Sequence, residues 1–239
     1  MLRSIASRSL PLVFTAALAC AALPAIAQLT EEAGKQVAQE VKLLVTEGTA
    51  VIGDLQPAIN GGKVEKDKAT PDALVAQFKS RYQKAAGAPL DTNAKGALGD
   101  VRRAYLQAFT SVVTRFQANI VKGGQDAFVP AFFRAQVLKD FNQLTTGKVQ
   151  AYATNRENEL INSDWAVHKV MKGSTLVPEV DALMKTGGLD PVVKRSGGSV
   201  MGYYPMKLAP ACVACHAQNG LKQTEGTFGG ALIAEVPVK

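Results

Sequence analysis

The sequence predicts an α+β fold in which helices lead and short strands follow. Three observations point to it. Through residue 121 the apolar side chains recur at helical spacing. From residue 148 onward they alternate or bunch into short β-rich runs. Glycine and proline clusters punctuate the segments. No repeat, linker or low-complexity tract interrupts the chain.

Residues 31–55 read as a long N-terminal helix, with Val37, Val41, Leu44, Val45 and Val51 at roughly helical spacing. Gln56-Pro57 and Asn60-Gly61-Gly62 are expected to end it. Thr70-Pro71-Asp72 supplies a capping hydroxyl, a proline suited to the first turn and an acid near the positive dipole end. Leu74, Phe78 and Tyr82 then share a face up to Gly87. The longest period covers residues 100–121, carried by Val101, Tyr105, Phe109, Val112, Phe116 and Ile120, and Gly123-Gly124 stops it. These stripes are read as core.

A mixed segment follows, from residue 128 to residue 144. Residues 148–154 alternate as a strand does. Ser163-Asp164 caps a short helix over residues 165–171, and residues 178–186 suggest another. Residues 191–195 and 199–204 flank Ser196-Gly197-Gly198 as the arms of a hairpin. Residues 229–238 form the last β-rich run, with Pro237 near its edge.

Composition excludes several classes. Of 239 residues, 47% are apolar and 6% aromatic, too apolar for a disordered chain. The formal charge of +7 comes from scattered Lys and Arg that form no stripe with aromatics, so nucleic-acid binding has no support. Residues 1–9 carry Arg3 and Arg8 and no acid, residues 10–23 are apolar, and Ala25-Ile26-Ala27 presents small residues where a signal peptidase reads. Residues 1–27 are therefore expected to be a secretory signal peptide, with residues 28–239 a single exported domain in the periplasm or outside the cell. A retained N-terminal anchor and lipidation at Cys20 are the alternatives. Taking 27 residues from 239 leaves 212, with 25 basic and 20 acidic side chains and a charge of +5. Only Cys212 and Cys215 then remain of the cysteines, and no later run is long enough for a membrane span.

The chemistry lies in Cys212-Val213-Ala214-Cys215-His216, the C-x-x-C-H sequence of covalent c-type haem attachment. Two thiols at this spacing can each add to a vinyl group on neighbouring pyrroles, and His216 is carried beneath the macrocycle to bind iron. Three plainer readings compete. A thiol redox pair expects a βαβ setting and a helix beginning at the first cysteine, whereas a strand and Pro210 precede this one. Structural zinc needs two further soft ligands, and only His168 remains outside the motif. A disulfide across two residues is strained and leaves His216 without a role. For the sixth iron position the candidates are His168 and Met206, then Met201, Met171 and Met184, or an open site suited to a gas. Methionine ligation would raise the potential relative to bis-histidine, and each methionine is otherwise core filler.

From the third helix onward the chain resembles a family of haem-c-binding, PAS-like domains, the Tll-like group of exported sensors and monohaem cytochromes. The resemblance rests on Gly124-Gln125-Asp126-Ala127-Phe128-Val129-Pro130-Ala131, on Asn155-Arg156-Glu157-Asn158 with Ser163-Asp164-Trp165, and on Gly202-Tyr203-Tyr204-Pro205-Met206. It continues through Cys212–His216 to Gly226-Thr227-Phe228-Gly229-Gly230-Ala231, covering roughly two-thirds of the exported chain. It implies a small PAS-like sheet wrapped by helices, one haem c held by Cys212, Cys215 and His216, and sensing or electron transfer rather than catalysis. Some members carry a cysteine in an early helix that can reach the iron. The early helices here contain none.

The expected function is thus an exported monohaem c-type cytochrome that senses redox state or a diatomic ligand, or passes electrons. Its partner would be a redox protein or, for a sensor, a separate signalling protein, since no output domain such as a kinase or methyl-accepting segment is expected after Lys239. A small peroxidase-type haem enzyme is the rival, though no acid–base pair stands out. A haem-free ligand-binding module is the third reading.

Overall fold

A computed structural model describes residues 29–123, 130–154, 178–210, 212–213, 217, 222 and 224–239. The predicted helix over residues 165–171 lies outside them. In chain order the elements are α1 (Glu31–Asn60), α2 (Pro71–Ala86), α3 (Gly96–Lys122), α4 (Pro130–Leu144), β1 (Gln150–Ala153), α5 (Pro178–Thr186), β2 (Val192–Ser196), β3 (Ser199–Lys207) and β4 (Phe228–Pro237). The molecule is α+β, with a four-stranded antiparallel sheet in the order β1-β4-β3-β2 and helices flanking it.

The helix starts and stops follow local chemistry. Thr70 caps α2, its hydroxyl accepting from the Ala73 N–H at 3.2 Å, and Gly87 closes that helix in the left-handed region at φ 72°. Helix α1 overruns its expected end: it continues through Pro57 to Asn60. Proline this close to a C-terminus removes only one helical N–H donor, while buried Gln56 and Ile59 anchor the final turn. The Gln56 side chain spans that turn, Nε2 donating to Asn60 Oδ1 at 2.6 Å. Helix α3 likewise begins at Gly96, earlier than its apolar period. Residues 130–144, read from sequence as mixed, form one helix with Pro130 at its start.

Sheet register places alternate residues on opposite faces. Toward α1–α4 point Val200 and Tyr204 of β3, Leu232, Ala234 and Val236 of β4, and Ala151 and Ala153 of β1; with the helices they form the main core. Toward α5 point Tyr203, Ala231 and Ile233, packed on Val180 and Leu183. Helix α1 crosses both β3 and β4 closely. A Cβ on Gly34 would lie 2.5 Å from Val238 Cγ1, and one on Gly48 would lie 2.3 Å from the Tyr105 hydroxyl of α3. The Asn142 side chain covers the outer backbone of β1, accepting from the Ala151 N–H at 2.8 Å and donating to its carbonyl at 2.9 Å.

The hairpin of β2 and β3 turns on Gly197-Gly198 as expected, with Gly197 at φ 58° and Ser196 paired to Ser199. Strand β3 runs three residues past its expected end, through Pro205 to Lys207. Strand β2 stops pairing at Tyr203, so beyond it Pro205 has a described neighbour only in β4 and no β2 carbonyl asks for its missing N–H; the register shifts at Pro205/Lys207. Leu208 is then held to the start of β4 by two backbone hydrogen bonds: its N–H donates to the Thr227 carbonyl and its carbonyl accepts from the Gly226 N–H, both at 2.9 Å.

Candidate functional site

From Leu208 the chain passes directly into the cysteine motif. Pro210, Cys212 and Val213 are helical, with the Cys212 and Val213 N–H groups both donating to the Ala209 carbonyl, at 2.9 and 3.1 Å. A strand and a proline were expected before the first cysteine. Both are there, but Pro210 begins a helical turn instead of excluding one, as proline at a first helical position permits. Cys212 is a free thiol and half-buried. Cys215, His216, His168 and Met171 lie outside the described residues, as does the side chain of Met184 on α5.

The two strand methionines fall on opposite faces. Met201 packs among the α5-side residues. Met206 sits within β3, not beyond it, and packs against the main core. Its sulfur accepts from Nη1 of Arg134, on the second turn of α4, at 2.9 Å. Arg134 shares a helical face with Val137, Leu138 and Phe141, all buried. The residue is half-buried as a whole, yet its Nε is sealed from solvent and has no hydrogen-bond partner. Burial pushes the guanidinium down to about 10, opposed by the nearby Cys212 thiol and Tyr105 phenol, which in ionised form favour the cation. At neutral pH it remains charged. Burial pushes the Tyr105 phenol up, so it stays neutral there. The site thus brings together the first motif cysteine, a strand methionine, a helical arginine and a neutral tyrosine from α3.

Comparison with protein-family models, with curated proteins and with solved structures finds no match. The site therefore stands on its own residues.

Arg134 and Tyr105 were not singled out as site residues from sequence. The available signal was a cation within an apolar run, Phe132-Phe133-Arg134-Ala135-Gln136-Val137-Leu138, once the segment is known to be helical. A second polar cluster was also missed. Beneath a cleft of about 460 Å³ between α1, α2 and α3, Glu40 accepts from Arg102 Nε at 2.8 Å, from Arg102 Nη2 at 3.2 Å and from the Tyr82 hydroxyl at 2.7 Å. The Arg102 guanidinium also lies 6.0 Å from the Tyr82 ring centre. Here cation, anion and hydroxyl satisfy one another, which contrasts with the orphaned Nε of Arg134.

This cluster has a pH signature. Burial, reinforced by the hydrogen bond and charge of Glu40, pushes the Tyr82 phenol up to about 12. A tyrosine ionises near 10 in an unfolded chain. Its folded pKa is the higher one, so its contribution is complete below about 10 and is lost as pH rises toward about 12. Urea midpoints measured across that range are expected to fall more steeply for the parent protein than for Tyr82→Phe.

Proposed function

We propose that the protein is an exported monohaem c-type cytochrome with a PAS-like domain over residues 28–239, preceded by a signal peptide over residues 1–27, which acts in redox or small-ligand sensing or in electron transfer and not as an enzyme. The observation that carries this reading is the C-x-x-C-H motif at 212–216, whose first thiol is free and half-buried beside Arg134. The antiparallel sheet with a long helix along one face suits the PAS-like element of the reading. No helix among the described residues is long and apolar enough to cross a membrane.

The residues present fit a haem. Cys212 has an uncommitted sulfur for a thioether, Cys215 supplies the second by spacing, and His216 supplies an imidazole for iron. Arg134 offers a half-buried cation with an unpaired Nε to a cofactor whose rim bears two carboxylates. When bound, the haem supplies one-electron redox chemistry or a position for a diatomic gas. The chain's own residues do the rest: the Leu208 backbone bonds fix the height of Cys212 against the sheet, and Met206 and Tyr105 bound the site on its core side. His168 and Met206 remain the candidates for the sixth iron position, and a redox or signalling protein is the proposed partner. Arg134 already engages the Met206 sulfur, so a methionine-ligated iron would require that contact to open.

The test is the full chain expressed with cytochrome c assembly factors in a host with an oxidising exported compartment. Absorption spectra of oxidised and reduced protein, with and without carbon monoxide, are expected to show a covalent haem in one-to-one stoichiometry. They also separate methionine, histidine and open sixth positions. Colourless protein, with no mass added to the processed chain, would refute the reading.

A further inference from the structure

We propose that Arg134 is the anchor for a haem carboxylate, a positioning residue that fixes the macrocycle at its propionate edge and holds positive charge beside it. The inference rests on the haem reading and deepens it.

Three features of the guanidinium lead there. Its Nε is buried with no partner, and an unmet buried donor is costly unless something arrives to accept from it. Its Nη1 is directed at a thioether sulfur, a weak acceptor that carries no charge. Among the described residues no carboxylate lies within ion-pair distance of it, whereas Arg81, Arg102, Arg103, Arg115 and Arg195 each have one. A half-buried cation with a sealed, unpaired Nε and no anion among the described residues is a costly arrangement for a folded chain to keep.

Attachment of the cofactor sharpens the need. A thioether sulfur is neutral and offers the guanidinium no anion. Tyr105 cannot substitute, because burial keeps its phenol protonated. The haem itself carries the replacement. The pyrroles that bear its vinyl groups adjoin those that bear its propionates, but the propionates lie on the opposite edge, so a macrocycle fixed at Cys212 carries its carboxylates across the site from that sulfur. A guanidinium is suited to receive them, since its planar fork pairs two donors with one carboxylate.

The experiment compares the matured holoprotein with Arg134→Gln, Arg134→Lys and, as a remote control, Arg115→Gln, whose exposed guanidinium pairs with Asp140 at 3.2 Å. Covalent haem is counted by mass, the midpoint potential is measured by redox titration, and carboxylate bands are followed in oxidised-minus-reduced infrared spectra. Arg134→Gln is expected to keep its haem and to show a lower midpoint, because loss of a nearby positive charge favours ferric iron. About a tenfold change in the oxidised-to-reduced ratio is expected, equivalent to about 59 mV for one electron. Arg134→Lys should stay near the parent midpoint while its carboxylate band moves, as a single-point donor replaces the fork. A midpoint for Arg134→Gln no lower than that of Arg115→Gln, or a carboxylate band unmoved in both Arg134 variants, would overturn the proposal. If Arg134→Gln fails to mature, the Arg134→Lys band decides alone: a shift supports the anchor and its absence overturns it. Parent protein without covalent haem refutes the underlying reading instead, before any variant is compared.

Discussion

Replacing Cys212 and Cys215 together with serine is expected to abolish covalent haem completely while leaving the fold in place. The chemistry is all-or-none, since a thiol adds to a vinyl group where a serine hydroxyl does not. The structural cost at Cys212 is small. Cys212 is half-buried on a helical turn whose hydrogen bonds are made by backbone groups, so exchange of sulfur for oxygen breaks none of them. The haem-stained band on a denaturing gel should vanish, and the processed chain should have the mass of its amino acids alone. Its far-ultraviolet circular dichroism should match that of unmatured parent protein. Single Cys→Ser variants should retain one thioether each. A double variant that still carried haem through denaturation would place the attachment elsewhere.

Phe109→Ala is expected to cost about 3–5 kcal/mol of folding stability, the range for truncating a fully buried aromatic. The ring is at the centre of the helical core. It stacks on Phe78 of α2 with centroids 4.8 Å apart and meets Phe133 of α4 edge-on at 5.4 Å. All three rings are fully buried. Removing the middle one withdraws contacts from two other helices at once and leaves a cavity that rigid neighbours on two sides are poorly placed to fill. Urea unfolding at neutral pH would measure the loss, and Phe109→Leu should recover more than half of it by restoring volume. A loss below about 1 kcal/mol for the alanine variant would contradict this packing.

Much of the fold was legible because its signals are local. Thr70-Pro71, Gly87 and Gly197-Gly198 each act within a few residues, and the structure uses them as sequence reasoning expects. The departures come where distant packing overrides a local rule. Pro57 reads as a terminator and the strand of residues 199–204 is expected to stop short of Pro205, yet one lies in a helix held by buried Ile59 and the other in a strand where β2 no longer pairs alongside. The segment before Leu144 looked mixed because Arg134 and Gln136 interrupt its apolar run, and both prove to be inside a helix.

The site divides the same way. The spacing of Cys212, Cys215 and His216 is a property of adjacent residues and can be read directly. The pairing of Met206 with Arg134 spans 72 positions, and that of Glu40 with Arg102 spans 62. Nothing in a short window marks such partners, and only the folded topology brings them together.

The double tie of Leu208 to Gly226 and Thr227 has a mechanical corollary. A sulfur hung on a slack loop would drift with every change in its burden. Here the suspension point follows β3 directly and is tied to the two residues that lead into β4, and β3 runs back from it between β2 and β4. A shove delivered at the turn is expected to pass along β3, whose other end is the Gly197-Gly198 bend.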